Sequence, residues 1–230
     1  THARLRITNQ DTNQKNCKVV ASENFICYSV SMKITKFGHA CLLVEEQEVR
    51  LLFDPGEYSV LPSNLGELDA VLITHEHKDH YEQDTLIELL KRSPRAQVIT
   101  NHAVGTKLET FGIPFQVIEE GQGLKIGAVD IEGEGEMHAV LHTEWPRCVN
   151  TGYRIAKRLF HPGDSLEIPK LPVEILALPV AGPWLFIGMA IDYAREVKPR
   201  VVFPIHDGIL KKLSTTDILP KELLHKSGIE

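Results

Sequence analysis

Thr74-His75-Glu76-His77-Lys78-Asp79-His80 follows directly on the apolar run Ala70-Val71-Leu72-Ile73. An unbroken apolar run of this kind reads as a strand buried on both faces. In an extended chain, side chains two residues apart project to the same side. His75 and His77 therefore converge on one point beyond the strand end. Asp79 and His80 lie one short turn further on and can aim at a second point nearby. Imidazole and carboxylate are the donor types that hold zinc, iron or manganese. Three histidines and an aspartate within six residues are not the make-up of an ordinary solvated loop, so the stretch reads as a metal site.

Outward from this stretch the chain alternates short apolar runs with turn signals. Met32–Phe37, Cys41–Val44 and Val49–Phe53 read as strands, the last two joined by a hairpin through Glu45–Glu48. Leu86, Leu89 and Leu90 recur at helical spacing, which predicts a helix over Asp84–Arg92. A strand at Gln97–Thr100 and a helix at His102–Phe111 follow. Phe115–Ile118, Leu124–Ile131 and Gly152–Ile155 read as further strands. Glu174–Leu178 and Arg200–Phe203 read as buried strands on either side of a helix over Ile187–Val197, and Leu219–Lys226 reads as a closing helix. Strands come first in a block and then mix with helices. That order favours sheet packed on sheet with helices outside, over a simple βαβ winding.

The chain has 230 residues, 43% apolar and 24% charged, the balance of an ordinary globular protein. Residues 1–31 look foreign to the rest. From Thr1 to Asn16 only Ala3, Leu5 and Ile7 are apolar, too few to dock firmly. They read as a disordered or non-native N-terminal extension, with Met32 as the natural start of the domain at 32–230. An authentic extra arm is the alternative. No stretch approaches the ~18–20 apolar residues of a membrane span, and no signal-peptide order opens the chain, so the cytoplasm is the expected compartment. Cys17, Cys27, Cys41 and Cys148 form no CxxC pair, which argues against a disulfide framework or a zinc knuckle. The net charge is −6. Residues 1–31 are themselves net basic, so the body is more acidic still and offers no basic stripe for nucleic acid.

The His-x-His-x-Asp-His stretch resembles the defining motif of the metallo-β-lactamase superfamily. Other elements stand in that family's order between about Met32 and Leu213. Asp54 in Leu51-Leu52-Phe53-Asp54-Pro55-Gly56 resembles its early aspartate. Asp164 in His161-Pro162-Gly163-Asp164-Ser165 resembles its Gly-Asp element, and His206 in Phe203-Pro204-Ile205-His206-Asp207 its last histidine. Many members carry Gly-His-Thr as the third element. Here Glu136-Met137-His138-Ala139-Val140-Leu141-His142 stands instead, with His138 the expected ligand and His142 its competitor. Gly38-His39-Ala40, Phe160-His161-Pro162-Gly163-Asp164 and Leu178-Pro179-Val180-Ala181-Gly182-Pro183-Trp184 resemble the branch that contains L-ascorbate-6-phosphate lactonase.

The resemblance implies an α/β fold of four layers, αβ/βα, with two mixed sheets inside and helices outside. It implies two divalent ions, zinc first, with manganese or iron as alternatives. His75, His77 and His138 would hold one ion, Asp79, His80 and His206 the other, and Asp164 would bridge them. Asp79 and His80 are also the catalytic candidates. The implied activity is hydrolysis of a small molecule, an anionic one among the options, by metal-bound hydroxide acting on a lactone, ester, amide or phosphoester. A nuclease or phosphodiesterase, a di-iron redox protein and a non-catalytic metal-binding scaffold are the competing readings. Asp54 is expected to orient a ligand histidine, or else to be a turn residue. His39 is a pocket residue or a satisfied buried histidine. His161 could touch substrate or pack, Asp207 could orient His206, and Trp184 and Trp145 could wall the site. Arg147 suits an anionic substrate group. A homo-oligomer is compatible with the resemblance, and no membrane association is expected.

Overall fold

Parity along the strands sorts apolar side chains onto two faces of each sheet. The computed structural model describes residues 32–211 and 215–230, together with the backbone of three short strands, β1 (Arg6–Thr8), β2 (Lys18–Val20) and β3 (Ile26–Tyr28). There follow β4 (Met32–Lys36), β5 (Leu42–Glu46), β6 (Val49–Phe53), β7 (Ala70–Leu72), α1 (Gln83–Arg92), β8 (Gln97–Thr100), α2 (His102–Glu109) and β9 (Gln116–Val117). The second half contains β10 (Gly123–Ile126), β11 (Val129–Glu134), β12 (Gly152–Ile155), β13 (Leu159–His161), β14 (Ile175–Pro179), α3 (Ile187–Val197), β15 (Val201–Ile205) and α4 (Thr215–His225).

Strands β3 to β9 form one large sheet in sequence order and β10 to β15 a second, while β1 and β2 pair as a separate two-stranded ribbon. Each large sheet begins antiparallel and becomes parallel, the first from β6 and the second from β13. Leu42, Val44, Leu51, Phe53 and Leu72 of the first sheet meet Ile131, Tyr153, Ile175, Ala177 and Phe203 of the second in one buried cluster. Side chains of opposite parity face outward. Leu43, Leu52 and Val71 pack with Leu86 and Leu89 of α1 and with Val104 and Leu108 of α2. Leu176 and Leu178 pack with Ala190, Ile191 and Ala194 of α3 and with Leu224 of α4. Three apolar interfaces thus separate four layers, the αβ/βα sandwich that the resemblance implies. Burial of one leucine-sized side chain stabilises by roughly 1.5–3 kcal/mol, and a helix cap by about 1 kcal/mol, so the interfaces dominate.

Three differences from the sequence reading stand out. Leu124–Ile131 is two strands, not one, because Gly127 turns the chain at φ +55 between β10 and β11. Leu159–His161 is a strand that periodicity did not single out, since three residues are too few to show a period. The hairpin expected through Glu45–Glu48 narrows to Gln47-Glu48, with φ +48 and +66. Most of the 1–31 extension lies outside the described residues. Among the described residues no helix is long and apolar enough to cross a membrane.

The topology decides where the chemistry sits. Asp54 follows β6, His75–His80 follow β7, Asp164 follows β13 and His206 follows β15. These are parallel strands, so their carboxyl ends open on one rim of the sandwich. In open α/β sheets the crevice outside such ends is where ligands bind.

Candidate metal centre

The chain leaves β6 through Asp54, whose φ of +42 lies in the left-handed region that Asp and Asn tolerate best after glycine. Its carboxylate organises the motif. Oδ1 accepts from the Thr74 backbone N–H at 2.8 Å, and Oδ2 accepts from the Thr74 hydroxyl at 2.8 Å and lies 2.7 Å from His80 Nδ1. Gly56 then passes so close to the motif that a Cβ there would lie 2.0 Å from the Asp79 carbonyl carbon. The loop after β6 is a template against which Asp79 and His80 are laid.

Two groups of donors result. His75, His77, His138 and Asp164 form one and His39, Asp79, His80 and His206 the other, each with its ligand atoms within 4.8 Å of one another. In the first, His75 Nε2 lies 3.1 Å from His77 Nδ1, and His138 Nε2 lies 3.2 Å from Asp164 Oδ2. In the second, Asp79 Oδ2 lies 3.4 Å from His206 Nε2 and 3.1 Å from His39 Nε2. Asp164 reaches both groups: Oδ1 is 3.0 Å from His80 Nε2, and Oδ2 is 3.0 Å from His206 Nε2.

The outward atoms of these side chains are engaged, which fixes which atom faces inward. The Thr74 hydroxyl gives its proton to Asp54 and lies 3.0 Å from His75 Nδ1, from which it accepts. His138 Nδ1 donates to the Ala139 carbonyl at 2.7 Å, and His206 Nδ1 to the Ala181 carbonyl at 2.6 Å. The Trp184 indole N–H donates to Asp164 Oδ2 at 3.1 Å. His77 Nε2 lies 3.8 Å from the Cys148 sulfur.

The donor set fits divalent ions on two grounds. His80 Nε2, His206 Nε2 and Asp164 Oδ1 are buried, and each nitrogen lies 3.0 Å from an Asp164 oxygen, yet none of the three has hydrogen-bond geometry among the described residues, an arrangement a shared cation would satisfy. The electrostatics say the same. Burial opposes charge on His80, yet Asp164 and Asp54 hold its pKa well above the usual histidine value. Burial likewise opposes charge on His206, and Asp164 and Asp79 carry it up to about 9. Burial, reinforced by His80, holds His75 well below, and His77 is lowered by burial and by His138. Burial works against ionised Asp164, but His80 and His206 keep its carboxyl well below the usual range. The buried carboxylates thus favour positive charge beside them, which protonated His80 and His206 or a cation can supply, while His75 and His77 are held neutral.

The remaining sequence candidates fall as follows. His138 joins the first group, whereas His142 is exposed and accepts from the Glu144 N–H. Arg147 donates from Nε to the His138 carbonyl at 2.6 Å, bracing that loop. His161 is fully buried, bonds the Ala40 carbonyl at 3.1 Å and stacks on Phe53, so it packs. Trp184 is 6% exposed and stands edge-on to His138 and His206, a wall of the pocket. Trp145 is 65% exposed and is no core residue. Asp207 does not orient the His206 ring, whose Nδ1 is bonded to Ala181; it pairs with the half-buried Lys36. Thr74, Lys36 and Cys148 escaped the sequence reading. Thr74 could have been suspected from its place between strand and motif. No pattern marks the other two, because their partners are remote in sequence.

Residues 33–206 match the Beta-lactamase superfamily domain. Protein Rv0786c of Mycobacterium tuberculosis is 37% identical over 210 residues, spanning 83% of this chain and 98% of that protein. A UPF0173 metal-dependent hydrolase of Exiguobacterium is 34% identical over 219 residues, spanning 86% of this chain and 96% of that one. Igni18, a metallo hydrolase from Ignicoccus hospitalis, superposes with a TM-score of 0.70 over 87% of this chain and 94% of its own; at 22% identity this bears on the fold alone. The order of the strand-end residues, the two donor groups and these likenesses converge: the chain belongs to the beta-lactamase superfamily, as a metal-dependent hydrolase of the metallo-β-lactamase fold.

Proposed function

We propose that the chain hydrolyses a small molecule carrying a lactone, ester, amide or phosphoester bond, with two divalent ions held in this pocket. The observation that carries the reading is the reach of Asp164, whose two oxygens touch donors of both groups. His75, His77 and His138 would hold one ion, and Asp79, His80 and His206 the other, with Asp164 shared. Divalent ions there would supply a water whose pKa falls from that of bulk water to about 7, and would polarise the attacked oxygen.

The chain's own residues do the rest. Asp54, Thr74 and the Ala139 and Ala181 carbonyls hold the imidazoles in one orientation, so little reorganisation is needed at reaction. Trp184 fixes Asp164 and closes the flank between His138 and His206. Asp79 is the more open of the two inner carboxylates, its side chain 22% exposed against 3% for Asp164, which suits it to orient the attacking water. Exposed Tyr58, Trp145, Phe186 and Ile209 stand on the loops that bear the centre. Apolar groups at this rim favour a small, partly apolar substrate over a nucleic acid, which would need rows of cations. The finer resemblance to the lactonase branch puts lactones first among the bonds to try, and zinc is the first metal to try.

The test is a panel of phosphorylated sugars, lactones and cyclic phosphodiesters offered to metal-loaded protein, with His77→Ala as control. Turnover abolished by that substitution is the expected result. Protein that carries two ions per chain and turns over none of the three classes would sink the reading, and an optical signature of paired iron would redirect it to redox chemistry.

A further inference from the structure

We infer that His39 is a positioning residue for Asp79 and not a ligand, its ring locked as the Nε2–H tautomer by the backbone of the loop that carries His206. Proximity alone would favour the opposite, since His39 belongs to the second donor group with Asp79, His80 and His206. The hydrogen bonds decide between the two. The Gly208 backbone N–H points at His39 Nδ1 at 3.2 Å. A backbone N–H can only donate, so Nδ1 must present its lone pair. In a neutral ring the proton then sits on Nε2, 3.1 Å from Asp79 Oδ2. Were His39 a ligand through Nε2, its proton would move to Nδ1 and oppose the Gly208 N–H, two donors face to face in a fully buried place.

The enforcing contact is built closely. A Cβ on residue 208 would stand 2.9 Å from His39 Cβ and 3.1 Å from Nδ1, so only glycine lets that N–H approach. The His206 N–H also donates to the His39 carbonyl at 2.9 Å. One loop therefore delivers His206 and sets the tautomer of the residue that holds Asp79. The consequence lies at Asp79 Oδ2, which also faces His206 Nε2 and, at 3.9 Å, His80 Nε2. A carboxylate oxygen has two lone-pair sites. The His39 N–H occupies one of them and leaves the other on that oxygen to face a cation.

This role rests on the reading that Asp79 holds the second ion, so the test separates the two. Nitrogen-15 NMR of the histidine rings would be recorded on the metal-free and the zinc-loaded protein, and zinc binding measured for wild type, His39→Ala and His39→Gln. The Gln carboxamide nitrogen can reach the place of Nε2 and donate to Asp79. Expected are a His39 Nε2–H signal in both states, a fall of about 10–100-fold in affinity for the second ion in His39→Ala, and recovery of most of that loss in His39→Gln. Loss of the Nε2–H signal on zinc loading, or equal losses in the two variants, overturns the inference. Should His39→Ala fail to fold, the NMR and His39→Gln still decide. Wild-type protein that takes up no second ion overturns the metal reading of Asp79, and the role of His39 with it, while the metal-free signal reports separately on the hydrogen bond.

Discussion

His80 Nδ1 lies 2.7 Å from Asp54 Oδ2, with both side chains withdrawn completely from solvent. A carboxylate behind a ligand imidazole fixes its tautomer and raises its basicity, and loss of such a partner lowers metal affinity about 10–100-fold. Asp54→Asn keeps the shape and tolerates the left-handed backbone, so it isolates the charge. We expect that variant to fold and to bind the second ion within that weakened range, with a smaller loss at the first ion through the Thr74–His75 hydrogen bond. Asp54→Ala also strips the Thr74 N–H and hydroxyl of their acceptor. Each buried group so orphaned costs about 1–3 kcal/mol, so this variant should melt well below Asp54→Asn. Equilibrium dialysis and thermal denaturation distinguish the two outcomes.

Gly56 presses on the backbone of Asp79 and His80, where an added Cβ would meet the Asp79 carbonyl oxygen at 2.0 Å and the His80 nitrogen at 2.4 Å. Backbone cannot swing aside as a long side chain can. Gly56→Ala should therefore destabilise by about 3 kcal/mol, at the upper end of overpacking costs, and should reduce uptake of the second ion. Gly112 supplies the control: its φ is +65 but nothing lies within 4 Å of its Cβ position, so Gly112→Ala should cost only about 1 kcal/mol, a backbone effect without a steric one. Equal midpoints in denaturant for the two variants would contradict the template role of the Asp54–Gly56 loop.

Most of this geometry was legible in the sequence for a physical reason. Strands with both faces buried tend to run apolar, and the readings Ala70–Ile73 and Glu174–Leu178 lie on the strands found at Ala70–Leu72 and Ile175–Pro179. Histidines at strand ends were conspicuous because such residues are costly to bury without partners. Whatever depends on the far side of a ligand ring stayed hidden. The partners of His138 and His206 are backbone carbonyls, which every residue possesses and no pattern marks. Asp207 misled for the same reason: adjacency to His206 promised contact, but its acceptor role is taken up by Lys36, 171 residues away in sequence. The Leu124–Ile131 run hid a turn because apolar residues flank Gly127 on both sides.

Metal removal should be visible in stability. An ion present at a hundredfold excess over its dissociation constant stabilises the folded state by about 2.7 kcal/mol. For a domain of this size about 1 kcal/mol moves the melting temperature by roughly 2–4 °C. Chelation should thus lower it by roughly 5–10 °C for each ion removed, and metal added back should restore it. The two donor groups make a sharper claim about single substitutions. His77→Ala should leave one ion per chain, His206→Ala should leave one, and Asp164→Ala should weaken both. Elemental analysis after dialysis counts the ions. Loss of both from His77→Ala, with Asp164→Ala retaining two, would show that the groups are not partitioned as the distances indicate.

Phe186 is 81% exposed and Trp145 65% exposed, and neither touches a ligand in the contacts described. Phe186 stands at the start of α3, two residues beyond Trp184, whose indole holds Asp164. Trp145 lies on the loop between His138 and Cys148, the latter set against His77. Both aromatic rings are therefore carried by segments fixed to the centre, while their own surfaces remain in solvent. An apolar part of a bound substrate would cover them. Partial burial of such a ring stabilises the complex by about 1.4 kcal/mol, a tenfold effect on affinity. Phe186→Ser and Trp145→Ser should raise KM roughly tenfold for substrates with an apolar group while leaving kcat and the count of bound ions unchanged, because uniform binding is lost and the reacting atoms are not touched. A polar substrate of the same bond type should show no such change. If kcat falls instead with KM constant, the rings act in the transition state, and the rim is part of the reacting pocket and no mere landing surface.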